Sequence, residues 1–289
     1  MINLSKNPQK IIVIGASGNL GKRLLEKACK KYSCIGTSSR GEHNLMLLDL
    51  QNPGNFVKDN VRPGDMVIIT AAISAPDICA NEHKYAFNVN VTGTSKLIGD
   101  SLAAGAKVLF FSSDMVYGEK ENYFDEGLAC DPVGEYAIMK HDIERKYVDC
   151  TSFKSIRLSY VFSKDDKFTS YLINCENRQV EAEVFHPFYR SVIYRDDVVD
   201  GVLGLVEKWD QIIERNINFG GAELISRADF ASLLVGLKLI NLRLRISNPP
   251  SNFFEKRPRT IAMRSNLLTT LIGRPPVNLS DAIKIEFDI

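Results

Sequence analysis

One stretch constrains this chain more than any other: Lys10-Ile-Ile-Val-Ile-Gly15-Ala-Ser-Gly18-Asn-Leu-Gly21. Its β-branched apolar run reads as a buried strand. Three glycines follow in the spacing G-x-x-G-x-x-G. Next comes a run of helical period, about 19–31, with Leu20, Leu24, Leu25 and Ala28 on one face. The order is strand, tight turn, helix start. The turn needs backbone conformations that side chains obstruct. The helix start offers unpaired N–H groups and a partial positive charge, which suits a pyrophosphate. A tight strand-to-helix connection alone would read the same way. At the head of an alternating chain, however, the pattern points to dinucleotide binding. Gly15, Ser17, Gly18, Asn19, Leu20 and Gly21 are the candidate contacts.

The remaining composition excludes more than it suggests. At 289 residues there is room for one large domain or two lobes. A net charge of +1 gives no pull toward nucleic acid or an anionic membrane. The six cysteines are scattered, with no C-x-x-C pair and no grouping with the four histidines. No metal site or disulfide framework is expected, and a cytoplasmic setting fits. Ile11–Ile14 is too short for a signal segment or a membrane span.

Strands and helices alternate as far as Phe162. Strands are expected near 32–37, 44–48, 66–70, 108–111 and 155–162, with a long helix over 82–104 and another from about Gly134. This predicts an α/β fold, a Rossmann-type doubly wound parallel sheet, in a dinucleotide-binding domain over 1–162. Residues 163–289 read as a smaller C-terminal substrate lobe with returns to the main sheet, and 264–272 as its last clear helix. The second strand ends in Thr37-Ser-Ser-Arg40, with no acid to bind ribose hydroxyls. Ser39 and Arg40 suit a 2′-phosphate, so NADP (NADPH) is preferred over NAD, although an arginine in a loop is commonly just solvated. Ala71 and Ala72, at the end of the fourth strand, allow close ligand approach.

Tyr136 and Lys140 are four apart on a helix and share a face. A nearby ammonium favours phenolate, and a serine hydroxyl can hold the oxygen in line. Ser113 follows a strand end, where a ligand would lie. The group suits proton transfer to a carbonyl oxygen as hydride reaches its carbon.

Gly15-x-x-Gly18-x-x-Gly21, Ala71-Ala72, Asn90-Val-Thr-Gly-Thr94, Ser112-Ser-Asp-Met-Val-Tyr-Gly118, Tyr136-x-x-x-Lys140, Arg157-Leu-Ser-Tyr-Val-Phe162 and Arg257-Pro-Arg-Thr260 together resemble an extended short-chain dehydrogenase/reductase of the dTDP-4-dehydrorhamnose reductase-like group. The resemblance implies Ser113, Tyr136 and Lys140 as the catalytic residues. It adds Ser39, Arg40, Asp49, Leu50 and Ala71 to the cofactor contacts, and has Lys140 bond the nicotinamide ribose. Pairing of two copies through helices near 82–104 and 133–150 is implied as well.

Departures from the family pattern narrow the reading. Related 4,6-dehydratases carry Asp-Glu after the Ser/Thr; here Asp114 is followed by Met115, which cannot take a proton. The second half has His186-Pro-Phe-Tyr-Arg190 in place of a Q-x-G-x-P-T stretch. Arg190 either grips a nucleotide diphosphate or pairs with Asp196 or Asp197. Ser74, Ser113, Met115, Tyr160 and Arg190 are taken to face the substrate, in a pocket shaped by loops over 74–83, 119–133 and 163–188. The expected function is NADP-dependent reduction of a keto-sugar linked to a nucleotide. The alternatives are a nucleotide-sugar epimerase and a non-catalytic cofactor-binding subunit.

Overall fold

The computed structural model describes residues 8–119 and 123–289. The start of the expected polar lead-in and part of the 119–133 loop lie outside them. The first half runs β1 (Lys10–Ile14), α1 (Asn19–Ala28), β2 (Ser33–Ser38), β3 (Met46–Leu47), α2 (Phe56–Asn60), β4 (Met66–Ile69), α3 (Pro76–Asn81) and α4 (His83–Phe87). A π-helical turn at Asn88–Gly93 leads into α5 (Thr94–Ala103), β5 (Lys107–Ser113), a 3₁₀ turn at Asp114–Tyr117, α6 (Glu135–Tyr147) and β6 (Phe153–Leu158). The second half holds β7 (Val161–Phe162), α7 (Lys167–Asn177), β8 (Ala182–Phe185), β9 (Tyr189–Ser191), β10 (Ile193–Tyr194), α8 (Arg195–Glu207) and β11 (Asn216–Phe219). Then come β12 (Leu224–Ser226), α9 (Arg227–Gly236), β13 (Leu244–Ser247), β14 (Thr260–Ile261), α10 (Leu268–Ile272) and α11 (Leu279–Phe287).

Seven strands form one parallel sheet in the order β11-β6-β5-β4-β1-β2-β3. Successive side chains point to opposite faces, and both faces of the inner strands are covered, so Ile11–Ile14 and Met66–Ile69 are apolar throughout, whereas β6 buries Lys154 and Arg157. Ile11, Val13, Met66, Ile68, Leu109 and Phe111 pack against α1, α8 and α10. Ile12, Ile14, Val67, Ile69, Val108 and Phe110 pack against α2, α5 and α6. From β1 the chain builds outward through β2 to β3, then returns to lay β4 on the other side of β1. The strand order reverses between β1 and β4, so the ligand crevice belongs outside the carboxyl ends of those strands.

A second core joins Phe162, Phe168, Leu172, Phe230, Leu234, Leu279 and Ile283. Around it lie the β12-β9-β14 sheet and the β8–β13 and β7–β10 pairs. From this half of the chain, α8 and β11 return to the main sheet. No helix among the described residues is long and apolar enough to cross a membrane.

Several elements differ from the sequence expectation. The helix expected over 82–104 is divided, with a widened turn at its centre. There the Asn90 amide bonds both Ile73 N–H and Ile73 C=O, at 2.9 and 3.0 Å. Gly93 lies so close to strand-end residue Leu50 that a Cβ would fall 1.5 Å from the Leu50 oxygen. The strand expected over 155–162 breaks after Leu158, where Ser159 Oγ donates to Asp114 at 2.9 Å and the chain leaves the sheet. The helix expected over 264–272 is only α10, and it is not the last. The longer α11 follows, capped by Asn278 accepting from Asp281 N–H at 2.9 Å.

Candidate active site

A cavity of about 530 Å³ lies at the β1/β4 reversal. Gly15, Ser17, Gly18, Asn19, Leu20, Gly21, Ser39, Asp49, Leu50, Ala71, Ala72, Tyr136 and Lys140 all line it. The glycine turn is held by close contacts. Gly15 has φ +91°, and a Cβ there would sit 2.8 Å from the Ala71 nitrogen. A Cβ on Gly21 would fall 2.3 Å from the Gly15 oxygen. No side chain caps α1 and no acid stands in its first turn, so its leading N–H groups remain available to an anion. These features fit a dinucleotide.

Arg40 is the predicted contact that the structure places off this cavity. Its side chain is 79% exposed and lies 3.9 Å from Glu42. The cause is local: β2 ends at Ser38, whose Oγ accepts from Gly41 N–H at 2.9 Å and turns the chain outward.

The reactive group forms where β5 meets α6. Ser113 ends β5 and caps the following 3₁₀ turn, its Oγ accepting from Met115 N–H at 3.2 Å and donating to Asp114 Oδ1 at 3.1 Å. Lys140 Nζ donates to the Phe111 carbonyl at 2.6 Å and sits 5.8 Å from the centre of the Tyr136 ring. Burial lowers the Lys140 ammonium from 10.5 to about 7. Burial, and then the Asp114 and Cys79 charges, push the Tyr136 phenol above its ordinary value. The Lys140 ammonium donates to the Phe111 carbonyl, and burial favours the protonated form of the Tyr136 phenol.

A second cavity of about 380 Å³ adjoins the first. Ser74, Ser112, Tyr136 and Leu158 line both, so these residues form the seam between them. Ser74, Ser113, Met115, Tyr160 and Arg190 all line the second cavity. The ion pair proposed for Arg190 needs correction. Its carboxylate neighbour is Asp114, at 3.6 Å. Asp196 pairs with Arg23 at 2.6 Å, and Asp197 with Arg274 at 2.6 Å. Arg190 spends its other donors on the carbonyls of Tyr189, Pro258 and Arg259, at 2.6, 2.8 and 3.3 Å. Burial lowers it to about 10, with Asp114 opposing the change. Tyr160 gives its hydroxyl hydrogen to Asp166.

Residues that the sequence analysis did not assign to the site complete it. The Ser112 hydroxyl is buried on the seam with no hydrogen-bond partner among the described residues. Arg227 lines the second cavity with its guanidinium 4.9 and 4.7 Å from the rings of Phe168 and Phe188. Its burial lowers the pKa, and it makes no ion pair among the described residues. Arg257 also lines this cavity and pairs with Asp77 on α3. Lys167 lines the first cavity. Periodicity could not flag these side chains, because segments far apart in sequence bring them together. Elsewhere Cys130, His141 and Glu144 place ligand-type atoms within 4.8 Å of one another. Both Glu144 oxygens already accept from Arg157, at 3.2 and 2.7 Å, and that guanidinium opposes a cation there.

The family model described as the RmlD substrate binding domain matches residues 9–284. A Bacillus subtilis (strain 168) protein named as an uncharacterized UDP-glucose epimerase is 24% identical over 282 residues, covering 84% of this chain and 88% of its own. Methionine adenosyltransferase 2 subunit beta from Pongo abelii is 23% identical over 278 residues, covering 91% and 82%. Among solved structures, the dTDP-4-dehydrorhamnose reductase of Bacillus anthracis str. Ames, in complex with NADP, superposes with a TM-score of 0.81 at 21% identity. That match covers 97% of this chain and 99% of the other. With a match from the first strand to the last helix, the chain belongs to the RmlD substrate binding domain family, a group of nucleotide-sugar reductases and epimerases of the extended short-chain dehydrogenase/reductase type.

Proposed function

We propose that the protein is an NADP-dependent reductase of a keto-sugar carried on a nucleoside diphosphate. The observation that carries this reading is Tyr136, which stands on the seam of the two cavities, where burial favours its protonated form. When bound, the cofactor supplies a hydride to the carbonyl carbon. Tyr136 gives its proton to the carbonyl oxygen, and a retained proton is what a general acid needs. The Ser112 hydroxyl, without a partner among the described residues, is free to donate to that oxygen, while the neighbouring Ser113 gives its hydrogen to Asp114.

Arg227 supports the diphosphate. It is flanked by two aromatic rings and makes no ion pair among the described residues, so a phosphate group would supply a direct partner. This role passes to Arg227 because the Arg190 donors are spent on backbone carbonyls. NADP is favoured by the hydroxyl-rich end of β2, where Ser38 and Ser39 line the cavity and no acid from β2 does. The exposed Arg40 guanidinium can swing onto a 2′-phosphate.

The epimerase reading draws on the Bacillus subtilis relative, since the same Tyr136 can take back the proton it gave. The two differ in bookkeeping: a reductase consumes one NADPH per sugar, whereas an epimerase consumes none. The test is titration with NADPH and NADH, followed by NADPH oxidation with nucleotide-linked keto-sugars, using wild type, Tyr136→Phe and Arg40→Ala. Tyr136→Phe is expected to bind NADPH normally and lose turnover by about 100-fold or more. Arg40→Ala is expected to lose the preference for NADPH. Sugar isomerisation without NADPH loss would favour the epimerase. Binding without any turnover would favour a non-catalytic subunit.

A further inference from the structure

The first cavity must take a dianionic diphosphate, yet its walls supply little positive charge. Lys140 and Lys167 are the cationic side chains that line it. Lys140 is committed to the Phe111 carbonyl, and burial moves it toward the neutral amine. Lys167 has no hydrogen bond or ion pair among the described residues. It is the first residue of α7, in the second half of the chain. The connection before α7 lies against the start of α1: Asn19 Nδ2 donates to Ser163 Oγ at 2.9 Å. The loop is fixed from behind as well, because Glu286 on α11 accepts from Lys164 N–H at 2.9 Å and from Arg195 at 3.0 Å. Asp166 already caps α7, accepting from Phe168 N–H at 2.8 Å and Thr169 N–H at 3.1 Å, so the α7 terminus itself is spent. What this segment offers the cavity is the exposed Lys167, which lines its edge and also a neighbouring surface hollow with Tyr171 and Asn174.

We propose that Lys167 reaches across from the substrate lobe to pair with the cofactor diphosphate seated at the α1 N-terminus. The glycine turn then provides backbone donors from one side, and Lys167 provides the full charge from the other. Cofactor binding therefore fastens the second lobe to the first. The inference rests on the dinucleotide reading above and assigns a residue outside the glycine motif to it.

The test measures dissociation constants for NADPH, ADP-ribose and AMP in wild type, Lys167→Gln and Lys167→Arg, each at low and high salt. Lys167→Gln is expected to weaken NADPH and ADP-ribose by about tenfold and to flatten their salt dependence. AMP, which lacks the diphosphate, should lose much less, and Lys167→Arg should restore most of the affinity. Unchanged ADP-ribose binding in Lys167→Gln would overturn the proposal while leaving the dinucleotide reading intact. So would an equal loss for all three ligands, which would mark a structural role. Failure of wild type to bind NADPH or NADH would overturn both.

Discussion

Lys140 shows how a single side chain carries opposite demands. Its ordinary pKa is 10.5, and burial brings it to about 7 in the fold. Between those pH values the unfolded chain holds a proton that the native state lacks, so stability rises with pH across that window. The penalty is complete below about pH 7 and fades toward pH 10. Lys140→Met removes the titrating group while keeping an unbranched side chain. The variant is expected to gain stability relative to wild type as pH falls from about 10 to about 7, with no further gain below. Urea unfolding of both proteins across that range checks it, and a pH-independent difference would show that Lys140 does not titrate there. A bound anion beside the ammonium would oppose the shift, so cofactor should raise this pKa.

At the scale of elements, the glycine turn is the feature whose sequence and geometry agree most closely. Gly21→Ala would bring a methyl to 2.3 Å from the Gly15 oxygen, and backbone cannot yield cheaply there. The expected cost is about 1–3 kcal/mol of stability, with a loss of cofactor affinity, measured by urea unfolding and NADPH titration. The alternating half was legible where strands are short apolar runs, as in β1 and β4, and helices are longer and periodic, as in α1; the five-residue α2 was not read. The π turn at Asn88–Gly93 was not, since its spacing keeps the helical pattern while Asn90 bonds Ile73 and Gly93 meets Leu50. The helix α11 was missed, although the Asn278 cap and Asp281 in its first turn mark its start. Tyr136 and Lys140 could be read from one helix face. Arg227 could not, because it acquires its place only when Phe168 and Phe188, from separate segments, close around it.

At the scale of the whole molecule, the two halves are tied by side chains on opposite sides of the cavities. Asp77 on α3 holds Lys256 and Arg257, while Arg23 and Lys27 on α1 hold Asp196 on α8. Between these ties the two cavities are separated by no partition, only by the seam of Ser74, Ser112, Tyr136 and Leu158. A nicotinamide ring lying along that seam would itself become part of the wall that the sugar meets. The consequence is an order of arrival. The nucleotide sugar should find its full binding surface only after the cofactor has come, and should depart before it leaves. Calorimetric titration of a nucleotide sugar with and without NADP is expected to show at least about tenfold tighter binding in its presence. By reciprocity the sugar should tighten NADP by the same factor. Equal affinities would mean that the protein alone completes the pocket, and that the two ligands come and go as strangers.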